Sequence, residues 1–388
     1  MQPYSITPKA QIIYRNANDS ILMAKNHIDM GNVMVDCRND SSALAEYNAA
    51  MDIYTALYGT HNAFVAKCHS QIAVVLFNQQ LSKNIRSRWK NVNTDFAMHL
   101  DTALSIYQYV YKGERREEIA ETYYRNGELY GFFDFRMAID YFGKALDEYR
   151  AVYGDENHLM VARTLRSMGG CYNRLGEYDA AIHNMEQAIT ILEHLYQGKH
   201  SEIADTYELL SGAYGNRKNT IQCMLCLEKA ANIWKLLYGK EYAAYRNTIN
   251  SFKDYMIDYH LAKDVTDAEN VCEEALKIYK RLSAETSNQL ESAIARLLVM
   301  STLAHIRNSN VEKAKANMTE NTEICKRITN TNLSTYCSKL TIYANALLTN
   351  QSDAERVLFY RRAKQLFKEY ANDNPMAKIL YDYWVTCK

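Results

Sequence analysis

Apolar residues recur along most of this chain in steps of three and four, the spacing that places them on one face of an α-helix. Over 162–196 they fall at Leu165, Met168, Gly169 and Tyr172, and again at Ala181, Met185, Ala188 and Leu192. Two amphipathic helices are predicted there, joined by a tight turn at Leu175-Gly176-Glu177. The small residues Gly169 and Ala181 let the helices approach closely, Tyr172 and Met185 fill the seam, and Ala188 makes room for the next unit. A similar pair is predicted over 21–59, with Gly31, Ala43, Tyr47 and Ala50 in the small and aromatic positions. Another covers 61–113 and carries a long insertion, 79–99, between its helices. Clear units continue to Gly239, and beyond it the pattern decays, although Ala268, Ala275 and Ile278-Tyr279 still match. Amphipathic helices are predicted over 287–307, 310–327, 331–348 and 352–371, with a capping helix over 375–386. The expected organisation is an N-terminal segment 1–20, well-matched repeats over 21–239 and degenerate helical repeats over 240–388.

The repetition has a second mark. Tyr58, Tyr111, Tyr153, Tyr196 and Tyr238 recur at spacings of 53, 42, 43 and 42, each with an alanine eight residues before it: Ala50, Ala103, Ala145, Ala188 and Ala230. A glycine one or two residues after each tyrosine fits the position just past a helix end, where positive φ is needed. These residues together resemble the tetratricopeptide repeat. The period near 42 and the linker Tyr153-Gly154-Asp155-Glu156-Asn157-His158, with looser versions ending in His61 and His200, resemble the subtype found in kinesin light chains. The resemblance implies an all-α, right-handed superhelical solenoid whose first helix in each pair lines a concave groove. It also implies a limit. The asparagine pair by which kinesin light chains clamp a peptide backbone is replaced here by Arg166-Ser167 and Glu208-Leu209.

Composition agrees with a helical array and removes several classes of function. Three prolines and 14 glycines in 388 residues leave few breakers. The 45 basic and 45 acidic residues cancel, so no bulk field draws nucleic acid or an acidic membrane. No run of 18 apolar residues exists, which argues against membrane insertion, and residues 1–10 have no signal-like pattern. Nine scattered cysteines look like reduced cytoplasmic thiols.

Within the groove that the resemblance implies, the register places Ser70, Tyr124, Arg166 and Glu208 at matching positions, with Arg163, Asn173, Arg174, Tyr130 and Asp205 one turn away. Arginine offers a planar fork to carboxylates, and tyrosine offers contact area at low entropic cost. A protein or peptide ligand is therefore expected at Tyr124, Tyr130, Arg163, Arg166, Asn173, Arg174 and Glu208. The alternative is an ordinary solvated face, partly paired across repeats. The insertion adds Arg86, Arg88, Trp89 and Lys90, which read either as a docking loop for an acidic partner or as a solvated helix extension. Cys223 and Cys226 lack the second ligand pair of a structural zinc site, and Cys223 falls in the small packing position held elsewhere by Ala138 and Ala181. His61, His158 and His200 belong to different repeats and read as linker residues capping the next helix. No metal or other cofactor is expected, and no nucleophile, base and orienting group come together in the pattern.

The sequence thus points to a cytoplasmic, non-enzymatic adaptor that binds a protein or peptide. A second reading is a peptide-responsive regulator whose curvature changes on binding. The poorly matched C-terminal repeats leave self-association open.

Overall fold

The computed structural model describes residues 8–83, 95–154, 157–253, 256–257, 261, 265, 267–285, 290–328 and 333–386. These contain seventeen helices and no strand. They sort into two compact units, Met1–Leu175 and Gly176–Lys388. None of the described helices is long and apolar enough to cross a membrane.

The first unit holds α1 (Pro8–Asp36), α2 (Asp40–Tyr58), α3 (Ala63–Lys83), α4 (Asp95–Tyr111), α5 (Glu117–Tyr130), α6 (Phe135–Tyr153) and α7 (Leu159–Leu175). Helices α1 and α2, α3 and α4, and α5 and α6 pack as hairpins. Their starts are set by short polar side chains. Asn39 accepts from the Ser42 amide at the head of α2, and Asp134 from the Met137 amide at the head of α6. Gly59, Gly113 and Gly154 follow helix ends at φ of 82°, 87° and 61°, as the Tyr-Gly pattern requires. The recurrent alanines Ala50, Ala103 and Ala145 are fully buried in the seams. Gly31 and Gly127 mark close helix approaches: a Cβ on them would lie 2.5 Å from the Tyr47 ring and 2.6 Å from the Phe142 ring. Helix α1 begins at Pro8, well ahead of the first repeat position expected at Ile21. Proline suits the first turn of a helix, and no glycine or further proline interrupts the chain before Gly31. Of the insertion, residues 79–83 end α3 and 95–99 begin α4, whereas Arg86, Arg88, Trp89 and Lys90 lie outside the described residues.

The second unit holds α8 (Tyr178–Tyr196), α9 (Ser201–Asn216), α10 (Thr220–Tyr238), α11 (Ala243–Lys253), α12 (Ala268–Glu285), α13 (Glu291–Arg307), α14 (Val311–Arg327), α15 (Leu333–Leu347), α16 (Asp353–Tyr370) and α17 (Pro375–Thr386). The helices predicted beyond 287 match α13 to α17 to within a few residues. Their packing departs from a simple stack, however. Every residue of α13 from Ala293 to Ile306 is buried, with α11, α12, α14, α15 and α16 around it. A helix enclosed on all sides presents no face to a groove. Side chains of α14 reach polar groups of α13 inside the unit: Asn321 donates to the Ala295 carbonyl, and Asn317 to Ser301.

Candidate functional site

Helix α7 buries one side, through Val161, Ala162, Leu165, Met168, Gly169 and Cys171. At 100° per residue, positions 163, 166, 170, 173 and 174 lie together on another side, spread over about 16 Å of axis. Arg163, Arg166 and Asn173 are half-buried, and Arg174 is exposed with its guanidinium 5.6 Å from the Phe135 ring. The glycine in this row, Gly170, is not demanded by packing, since a Cβ there would meet nothing within 4 Å.

The adjoining face of α5 carries the opposite charge. Glu128 stands near Arg125, Arg166 and Arg163. Desolvation raises its carboxyl pKa, against the pull of the Tyr124 hydrogen bond and of those cations. Tyr124 forms the floor: it is 9% exposed, its ring packs 5.5 Å from that of Phe142, and its hydroxyl lies 3.5 Å from Ser167 Oγ of α7. Burial pushes its phenol up to about 12. One repeat earlier, a cavity of about 230 Å³ opens between α3 and α5, lined by Lys67, Ser70 and Gln71 on one side and Glu118, Glu121 and Arg125 on the other. Arg125 and Glu121 are paired at 2.6 Å. The first helices of successive pairs thus carry an alternating band of acid and base across unit 1.

Two of the predicted residues fall elsewhere. Tyr130 is six residues beyond Tyr124, hence turned 240° around α5. It stacks on Tyr141 at 5.3 Å and lines a separate cavity of about 950 Å³ with His61, His69, Met98, Asp101 and Tyr109. Glu208, on α9 of the second unit, is engaged internally. Its Oε1 accepts from Trp234 Nε1 at 3.0 Å and from Thr248 Oγ1 at 2.6 Å, tying α9 to α10 and α11.

Other chemistry-bearing groups have structural work. His158 and His200 accept from the Met160 and Glu202 amides at 3.2 Å and stack on Tyr153 and Tyr196, so they do cap α7 and α9. At α3 the capping atom belongs instead to Asn62, which accepts from the Phe64 and Val65 amides. Cys223 and Cys226 are buried, and desolvation raises both thiols to about 12, so they pack as protonated side chains.

Two clusters escaped the sequence. His69 on α3 and His99 on α4, 30 residues apart, meet with Nδ1 atoms 2.7 Å apart. Desolvation, then the neighbouring His99, lowers His69 to about 4, and His99 is lowered by desolvation against the pull of Asp95. Glu269 and Glu273, one turn apart on α12, meet His305 of α13 in a set of metal-ligand chemistry. The Lys313 ammonium stands there as the cation, 2.7 Å from Glu273 and 3.7 Å from Glu269, while Asn308 and Asn310 also donate to Glu269. No spacing motif joins these residues, because the contacts cross between helices.

Residues 118–194, essentially α5 to α8, match the family model of the tetratricopeptide repeat. No curated protein matches the sequence. Among solved structures, BtubC (BKLC) from P. vanneervenii aligns at 13% identity and TM-score 0.36, covering 81% of this chain and 94% of that one. Aspartyl phosphate phosphatase F from Bacillus subtilis aligns at 13% and 0.33, covering 93% and 92%. The P58(IPK) TPR domain aligns at 14% and 0.26, covering 94% and 98%.

Proposed function

We propose that this chain, which belongs with the tetratricopeptide repeat proteins by its match over residues 118–194, is a cytoplasmic adaptor that holds an extended acidic segment of a partner protein and catalyses no reaction. One observation carries the reading: the row Arg163, Arg166, Gly170, Asn173 and Arg174 along one side of α7. Its arginines run along about 16 Å of helix, the length of about five residues of an extended chain, and so can meet carboxylates distributed along such a segment. A glycine inside a helix costs about 1 kcal/mol relative to alanine. Gly170 bears that cost without a packing need, and it leaves the helix backbone open to a close approach. Tyr124 forms the floor beneath the row, and Glu128, near Arg163 and Arg166, is the internal counter-charge that an acidic segment would have to displace.

The test is an affinity pull-down from cytoplasmic lysate with the whole chain, comparing wild type with Arg163→Glu/Arg166→Glu/Arg174→Glu at matched helicity by circular dichroism. Proteins retained by wild type and lost by the variant are expected, and they name the partner. An identical set from both chains would refute the assignment of this face.

A further inference from the structure

The C-terminal helices α15, α16 and α17 surround a cavity of about 610 Å³. That volume lies in the range of small-molecule sites. Its lining includes three cations, Arg356, Arg361 and Lys364, and no carboxylate among the described residues. Arg356 is already committed: it donates to the Leu348 and Thr349 carbonyls at the end of α15 and so fixes one wall. Arg361 and Lys364 differ from many cations of this unit. Lys280 pairs with Glu320, Arg281 with Glu228 and Arg327 with Glu291. Arg361 and Lys364 have no ion pair among the described residues, although they sit three apart on one face of α16 and Lys364 is half-buried.

The remaining wall is aromatic and held rigidly. Tyr360 meets Trp384 edge to face at 5.4 Å and 83°, and Phe367 supports Trp384 at 5.5 Å. Tyr383 and Val357 line the same cavity and are 49% and 58% exposed. The hydrogen-bonding inventory is one-sided. The Tyr360 hydroxyl donates to Asn345 Oδ1 at 2.6 Å, so the exposed Asn345 side chain offers its amide NH₂ as a donor. The Trp384 indole N–H is buried without a partner. Guanidinium, ammonium, amide and indole are all donors, so the complementary ligand is rich in acceptors.

We propose that this cavity binds a small organic anion, with a planar or apolar body against Tyr360, Tyr383 and Val357 and a carboxylate or phosphate held by Arg361 and Lys364. The site lies wholly within the second unit and does not rest on the α7 face.

Ligand-observed NMR titration of the full chain tests it, with phenyl phosphate and phenylacetate as probes, 2-phenylethanol as the neutral body and inorganic phosphate as the bare anion. At least one aromatic anion is expected to bind with a dissociation constant on the order of 1 mM, and the stronger of the two identifies the head group. The neutral alcohol and inorganic phosphate should each bind about tenfold more weakly. Arg361→Ala/Lys364→Ala should weaken the aromatic anion by about tenfold or more, while the charge-preserving Arg361→Lys/Lys364→Arg stays close to wild type. Undiminished binding to the alanine variant, equal binding of inorganic phosphate, or no binding of either aromatic anion at about 10 mM would each overturn the proposal.

Discussion

Gly127 and Gly170 are both helical glycines of the first unit, yet packing requires only one of them. A Cβ at Gly127 would lie 2.6 Å from the Phe142 ring, which is itself buried and cannot retreat. Gly127→Ala is expected to destabilise the chain by about 2 kcal/mol in urea unfolding, overpacking outweighing the gain in helix propensity. Gly170→Ala meets open space and should stabilise by about 1 kcal/mol in the same measurement. In the pull-down, that same substitution should weaken the partner, because it fills the approach to α7. A stable variant with unimpaired binding would mean that Gly170 does not face the ligand. The histidine pair gives a second residue-level prediction. His69 and His99 both titrate lower in the fold than the value of about 6.5 expected in the unfolded chain. Below that pH the unfolded chain binds more protons. The pair's contribution is therefore complete above pH ~6.5 and is lost as the pH falls toward ~4. Melting temperatures of wild type and of His69→Gln/His99→Gln should diverge in slope across that window; parallel slopes would count against the pair.

At the scale of elements, the helix ends carry much of the specificity. In the first unit they are closed by local signals: Asn39, Asp134 and the left-handed glycines. In the second unit a helix start is tied to distant residues. Asn374 caps α17 through the Ala377 amide, and its NH₂ reaches Asn321 and Thr322 on α14. Asn374 is 1% exposed, so its loss leaves buried partners without their bonds. Asn374→Ala is expected to cost about 2 kcal/mol, read from the urea midpoint at unchanged m-value. Since α17 forms one wall of the 610 Å³ cavity, its docking and the shape of that cavity depend on the same asparagine.

For the whole molecule, charge is balanced at 45 against 45, so binding must come from local arrangement and not from net attraction. The chain should not shift a random DNA duplex in a gel at about 0.1 M salt, because non-specific DNA binding needs a net basic footprint. A shift at that salt would expose a basic surface that the balance conceals. Hydrophobic burial is likewise spread over many seams. The two units nonetheless distribute it differently, with hairpin seams lined by alanine in the first and a fully enclosed helix, α13, in the second.

Helix content, the hairpin pairing of the first unit and most helix ends were determined by the sequence alone, because they depend on spacings of three and four and on residues adjacent in the chain; the start of α1 at Pro8 was not among them. The tyrosine–glycine ends, the buried alanines and the capping roles of His158 and His200 were legible for that reason. So was the row on α7, which needs only 100° per residue. What the tertiary structure decided was the use of each exposed-looking position. Tyr130 turned to a different surface from Tyr124, Glu208 was drawn into hydrogen bonds with Trp234 and Thr248, and α13 was enclosed where an amphipathic helix was expected. His69 with His99, and Arg361 and Lys364 beside Tyr383 and Trp384, likewise became sites only through packing between helices. The physical reason is range: a helix reports its own periodicity in the sequence, whereas the neighbour that covers, pairs or leaves open a side chain lies tens of residues away.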